Sequence, residues 1–556
     1  MLLCREGRPS NLQGWRCCRK RSLCLTPAQG GLIILLILIS VLGWGRQVAL
    51  AKEPGPRQRT ETVTETLYEW WLLAWSEPDK ILCRLYINHP DRPTGLDVLR
   101  FCGQEAYDTW VDTLPCEAAL SGGDVTTCEG YYLFFVGQSE VTHQVTRTYP
   151  PPWVDLYLEN CTSDFPHFRC LDPVVLRFEG VEPFPDAEIT EVIVAVSGQS
   201  TTHCQGAECF VLLSPKQAAG ETRYTVRFSA VSSLGDDSSQ NVATVRLIPQ
   251  ENGEVLVDIL SDRWRDAGVD WCAQAWALLP PTEPLPEWLD TPPDPADLAT
   301  DVPYLYLGGR LIAHGIVDAS SCPDGGLLPN GTASPCGIAL AQEEVLAWQN
   351  RFDESIWQAS REVGVPATLL KRMFAQESQF WPAEFPQRVE AGFGQLSPHG
   401  MDTLLLWETD IAQPLCDEVL GEWRCVYGYA HLNPYQRRLL YESVWAQANL
   451  SCYDCPYGID LERSEEAVLL FAHLVRAYCR QIGQTVRNIT RRTPSYVSGY
   501  TDLWRFTLAN YNGPDCTYEA LLRTWGAKEP LDWAHVSQRF PQGCESVVNY
   551  VEKVAP

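Results

Sequence analysis

The 556-residue sequence predicts a multi-domain protein with a β-rich N-terminal half and a mainly α C-terminal half. Three observations carry that expectation. The length exceeds a single domain and suits two to four. Between residues 146 and 260 apolar side chains recur with period two, as in Tyr224, Val226, Phe228 and Ala230, and again in Val255, Val257 and Ile259. From residue 341 the period changes to three and four. Val345, Trp348, Phe352, Ile356, Ala359 and Val363 make one stripe, and Ala467, Leu470, Leu474, Tyr478 and Ile482 make another. Hydrophobic residues are 45% of the chain and aromatics 11%, enough for sizeable cores.

The N-terminus reads as an export device. Arg5, Arg8, Arg16, Arg19, Lys20 and Arg21 stand against one acid, Glu6, and an apolar run from Leu32 to Trp44 follows. That run is short for a spanning helix and right for the core of a signal peptide. Ala49-Leu50-Ala51 supplies a small-x-small cleavage site. Residues 1–51 are therefore a signal peptide or an N-terminal membrane anchor, and either places residues 52–556 outside the cytoplasm. Cysteine usage agrees. Of 22 cysteines, four precede the apolar run and eighteen, an even number, follow it. Cys452-x-x-Cys455 has no second such pair and no clustered histidine, so it reads as a disulfide rather than a zinc or redox site. No metal or cofactor is expected. Seven cysteines lie beyond residue 341, so one should pair outside that region, with Cys272, Cys322 or Cys336. Net charge is −27, and without residues 1–51 it is −33. Such a surface repels nucleic acid and anionic membranes.

Organisation follows from composition. Residues 52–65 are polar and read as a linker at the start of a Cys-rich module, 52–145, which holds Cys83, Cys102, Cys116 and Cys128 among dense aromatics. The short strands of 146–260 resemble an immunoglobulin-like sandwich, with Cys204 and Cys209 pinning a hairpin. A sandwich does not specify a function, so a spacer is the plainer reading than a glycan-binding module. Residues 261–340 are a connecting segment. Its eight prolines between 280 and 303 predict a semi-rigid, extended linker. Residues 341–556 form the helical domain. Within it, 411–462 carries four cysteines and little periodicity, as expected of a disulfide-braced insertion.

The candidate site lies between Val365 and Gln395. A helix opens at Pro366, and Leu370, Met373 and Phe374 mark its apolar face. Glu377 falls seven residues after Leu370 and four after Met373, on that face, whereas Lys371, Arg372, Gln376 and Gln379 point elsewhere. Burial of a carboxyl raises its pKa and keeps it protonated, as a general acid requires. Ser378 follows directly. Then come Gly392-Phe393-Gly394-Gln395, Asn510-Tyr511-Asn512-Gly513-Pro514 and Asn549-Tyr550-Val551.

This series resembles the catalytic domain of the soluble lytic transglycosylases, a goose-type-lysozyme-like fold, over roughly residues 342–556. In that family a helix ends in Glu-Ser, a Gly-Leu-Met-Gln turn follows, and an Ala-Tyr-Asn-Ala-Gly segment comes later. The resemblance implies that one Glu protonates the oxygen between N-acetylmuramic acid and N-acetylglucosamine. The same Glu then takes the proton of the sugar's 6-hydroxyl, which closes a 1,6-anhydro ring without water. Glu377 would be that catalytic residue, and the partner would be peptidoglycan glycan strands. Ser378 would touch the Glu or the substrate, and Gln395 the sugar or the Glu. Tyr511 and Asn512 would form the far wall, with Tyr550 closing the groove. Gly394 departs from the family's Met, Asn510 from its Ala, and Gly513-Pro514 from its Ala-Gly, with Cys516 placed to fix the loop. Two rival expectations stand beside this one. A hydrolase of the same fold would use Glu384 or Glu390 as a second carboxylate. A wall-binding scaffold would keep the fold without activity. Trp381, Trp407 and Trp504 read as core rather than sugar platform.

Overall fold

The computed structural model describes residues 57–556, apart from 115, 117, 120–122, 218–219, 384–389 and 426. The signal or anchor expected over 1–51 lies outside the described residues. Among the described residues no helix is long and apolar enough to cross a membrane.

β1 (Gln58–Ala74) pairs antiparallel with β2 (Glu77–Ile87) and with β3 (Tyr131–Thr148). The ladder between β1 and β3 runs from Gln58↔Thr148 to Ala74↔Tyr131. Residues 58–65, expected as a linker, are thus strand. Threonine alternating with charged residues and valine suits a ribbon exposed on both faces, and the partner that makes it a ladder lies far along the chain. The boundary drawn at residue 145 falls inside β3. At the other end of this sheet one face packs on α1 (Gly95–Cys102) and α2 (Gln104–Val111) through Leu72, Leu85, Ile87, Val98 and Trp110. The Cys83–Cys102 disulfide braces the contact.

The remaining strands are β4 (Trp153–Asp164), β5 (His167–Val181), β6 (Ile189–Val196), β7 (Thr202–Gln205), β8 (Glu208–Leu213), β9 (Thr222–Ser232), β10 (Asn241–Pro249) and β11 (Glu254–Leu260). They form one eight-stranded sheet in the order β4-β5-β11-β10-β9-β6-β7, with β8 paired to β5. The first part of β5 bonds β11 and the later part bonds β8, while Cys204–Cys209 ties β7 to β8. The sheet therefore curls back toward itself. Its period-two residues, including Phe178, Val192, Val226, Phe228 and Val245, fill the interior.

The helical half begins near residue 270, not 341. Its helices are α3 (Trp271–Trp276), α4 (Leu305–Ala313), α5 (Pro335–Asn350), α6 (Asp353–Val363), α7 (Ala367–Glu377), α8 (Pro398–Trp407), α9 (Thr409–Leu420), α10 (Pro434–Ala448), α11 (Ser464–Thr490), α12 (Tyr500–Asn512), α13 (Pro514–Gly526) and α14 (Glu545–Val554), with single turns between some of them. The proline-rich stretch is not a free linker. Trp288, Leu289 and Leu298 are buried in the helical core. Trp357 Nε1 donates to the Pro292 carbonyl at 2.8 Å, and Ala367 N to Thr291 Oγ1 at 2.9 Å. Proline bars ladders and helix interiors but not packing, so the large apolar residues between prolines dropped into the core. Cys479 is the odd cysteine, and it pairs with Cys272. All eighteen cysteines of the described residues form nine disulfides, which fits an oxidising environment outside the cytoplasm.

Candidate functional site

The site is built on the end of α7. Gly364 closes α6 with φ 73°, and a Cβ there would lie 2.0 Å from the Val269 carbonyl oxygen. Both facts demand glycine. Pro366 caps the next helix, and Leu369, Leu370, Met373 and Phe374 are buried along it. Lys371, expected to point outward, is buried as well. Its Nζ sits 2.6 Å from Asp353 Oδ1 and 2.8 Å from Asn350 Oδ1. The reason is enclosure: α6, the turn at Glu287–Leu289 and α14 all pack on α7, so more than one of its faces is interior.

Glu377 ends the helix and is half-buried. Ser378 is buried, and its Oγ donates to the Phe374 carbonyl at 3.3 Å, which closes the helix. Gln379 and Phe380 then take φ of 48° and 64°, reversing the chain. The Gly392–Gln395 turn comes alongside, closed by Gln395 N to the Gly392 carbonyl at 3.2 Å. Gln395 Nε2 donates to the main-chain carbonyl of Glu377. Tyr511 Oη, from α12, donates to the Gly394 carbonyl. One side-chain amide and one phenol thus lock the turn to the end of the Glu377 helix.

Aromatic rings complete the surroundings. Tyr511 and Tyr550 stack with centroids 6.2 Å apart, and Tyr478 meets Tyr511 edge-on at 5.2 Å. Burial, then the negative charge of Glu377, holds the Tyr511 and Tyr550 phenols well above their ordinary pKa. Burial also pushes Tyr478 up to about 12, with a Thr403 hydrogen bond opposing and the Glu377 charge adding. The charge of Glu377 therefore acts on three phenols that stay protonated at neutral pH.

The structure brings Glu377, Gln395, Tyr511 and Tyr550 together. Asn512, at the last residue of α12, is exposed, and the Ser378 hydroxyl faces its own helix. Tyr478 was legible only as a member of the α11 stripe; its signal was a hydroxyl on an otherwise apolar face. Gly394 has a plain cause: a Cβ there would lie 1.8 Å from Phe471 Cε2, so the Phe471 ring fills the space a longer side chain would need. Cys516–Cys544 ties the start of α13 to the start of α14, which carries Tyr550. Trp381 and Trp504 are fully buried, as core residues are. A small apolar cavity behind the turn, lined by Phe393, Leu404, Leu470 and Leu474 among others, includes neither Glu377 nor the tyrosines. Glu390 is half-buried, and its charge reaches Tyr511. Glu384 lies outside the described residues. Among the described residues no three His, Cys, Asp or Glu side chains are grouped to hold a metal. No known protein family, curated protein or solved structure matches the chain.

Proposed function

We propose that this chain is an exported cell-wall enzyme whose helical half, lysozyme-like in fold, cleaves peptidoglycan glycan strands as a lytic transglycosylase. Glu377 serves as the single acid and base and leaves 1,6-anhydro ends. The observation that carries the proposal is the meeting of three separate stretches of chain at the Glu377 end of α7: Gln395 donates to the Glu377 carbonyl, Tyr511 donates to the Gly394 carbonyl, and Tyr550 stacks on Tyr511. Gln395 fixes the helix end, and the stacked Tyr511 and Tyr550 rings wall the site. Such positioning lets one group donate a proton to a leaving oxygen and take another back. The β-rich half, immunoglobulin-like in strand spacing, is the spacer, and residues 1–51 are the export signal or anchor.

The test is digestion of purified peptidoglycan with mass analysis of the products. Wild-type protein should release muropeptides one water lighter than hydrolytic products, and Glu377→Gln should lower the rate at least about a hundredfold. No release by well-folded wild type overturns the enzymatic proposal and leaves a wall-binding scaffold. One observation favours a hydrolase as second reading: half-buried Glu390 directly precedes Ala391, which bridges to Leu396 across the Gln395 turn. Under that reading Glu390 activates water. The products then carry reducing ends, and Glu390→Gln is as inactive as Glu377→Gln.

A further inference from the structure

We infer that the disulfide-braced segment 411–462 is a glycan-holding arm of the Glu377 site, with Tyr453 and Tyr457 stacking on the faces of sugar rings. The inference rests on the glycan-cleaving function proposed above. Its first support is position. Leu450 N donates to the Pro382 carbonyl at 3.0 Å, and a Cβ on Gly392 would lie 2.5 Å from the Ala448 carbonyl oxygen. Ala448–Leu450 therefore touches both stretches that frame the site, the one leaving Glu377 and the one leading to Gln395.

The second support is rigidity. Cys452–Cys455 closes a four-residue loop, Cys452 N donates to the Gly458 carbonyl at 2.9 Å, and Ser451 bridges to Ile459. His314 Nδ1 lies 2.7 Å from the Tyr457 carbonyl oxygen. The His314 ring packs on Trp381 at 4.7 Å, and Trp381 stacks on Trp348 at 5.7 Å. Trp381 is four residues past Glu377. The Trp381 and His314 rings and one hydrogen bond to the Tyr457 main chain thus link the stretch just past α7 to the loop.

The third support is what the loop displays. Tyr453 is 100% exposed and Tyr457 54%, and the same segment exposes Tyr427 and Tyr435. Tyrosine usually buries its ring, so a fully exposed one on a braced loop leaves a large apolar face without a partner. A ring already held in place loses little freedom on binding. Segment 411–462 carries seven acids against three Lys or Arg, so its hold on a glycan comes from the rings and not from charge.

The experiment uses the full exported chain with Glu377→Gln, so that binding is read without cleavage, and measures co-sedimentation with insoluble peptidoglycan. Adding Tyr453→Ala and Tyr457→Ala should weaken retention about tenfold. Adding Tyr496→Ala and Tyr518→Ala, which remove exposed rings elsewhere on the helical half, should leave it unchanged. Thermal unfolding should be the same for all variants. Retention of the Tyr453/Tyr457 variant equal to its parent, an equal loss in the Tyr496/Tyr518 variant, or no retention of the parent overturns the arm. Product release by wild type is assayed separately, so failure of cleavage and failure of the arm are told apart.

Discussion

Gly394 shows how far one position can be read. Its place in a Gly-x-Gly-Gln turn is visible in the sequence, and so is its departure from the Met of the similar family. The cause is not visible, because Phe471 lies 77 residues away and reaches the turn only through the fold. The Phe471 ring itself is held, at 4.9 Å from Phe374 and 5.9 Å from Tyr511. Gly394→Ala should therefore cost about 1–3 kcal/mol in urea denaturation, the usual range for overpacking. Gly394→Met paired with Phe471→Ala should be more stable than the sum of the two single changes by at least about 1 kcal/mol, because the added chain fills the vacated space. Additive effects would mean that the two sites do not share that space. Glu377 was more legible: its seven- and four-residue spacing placed it beside the buried face. Its neighbours Gln395, Tyr511 and Tyr550 were legible as types and not as contacts, since each comes from a different element.

Among the elements, α7 departs most from its pattern. A lysine between leucine and arginine reads as an outward residue, yet Lys371 is buried against Asp353. Burial lowers the Lys371 pKa and raises that of Asp353, and the mutual attraction opposes both shifts. Desolvation prevails for each, so the pair serves the register between α6 and α7 more than net stability. Lys371→Met leaves a buried carboxylate alone and should cost about 3–5 kcal/mol, whereas Lys371→Met with Asp353→Leu should recover most of the loss. Denaturation midpoints of the single and double variants check this. If the double variant is no better than the single, the pair holds more than register. The β1–β3 ribbon departs for a related reason. Over Gln58–Glu65 its residues carry no apolar alternation because neither face is covered there, and only a partner across the fold makes them strand.

Over the whole molecule the two halves are joined around residues 270–276, where Gln274 Nε2 donates to the Ile259 carbonyl of β11 at 2.7 Å. Cys272 is bonded to Cys479, Trp276 Nε1 donates to the Cys479 carbonyl at 3.0 Å, and Arg487 donates to the Ala275 carbonyl at 2.6 Å. Asp270 sits in the joint, accepting from Tyr500 Oη at 2.6 Å and from Ala273 N at 2.8 Å. Burial raises its carboxyl from 3.8 to about 6, against the pull of those two bonds and with the charge of Asp258 adding. The folded state therefore holds this proton more tightly than the unfolded chain does. The stability it confers is complete below about pH 4 and is lost as pH rises through about 6, by about 3 kcal/mol in all. Asp270→Asn cannot ionise and still caps α3. Its unfolding free energy should lack this loss, so its advantage over wild type should grow between pH 4 and 7. Parallel pH profiles would place the titration elsewhere.

By itself the sequence determined the two halves, the helical stripes, the alternating strands, the disulfide-rich exterior chemistry and the position of Glu377 on its helix. Each depends on periodicity or composition over short stretches, where local geometry dictates which residues share a face. The tertiary structure alone decided the closing of the curled sheet, the β1–β3 ribbon, the burial of the proline-rich stretch and of Lys371, the Cys272–Cys479 pairing and the tyrosines around Glu377. Those depend on which distant segments meet, and such meetings are fixed by packing the whole core at once rather than by any one segment's pattern.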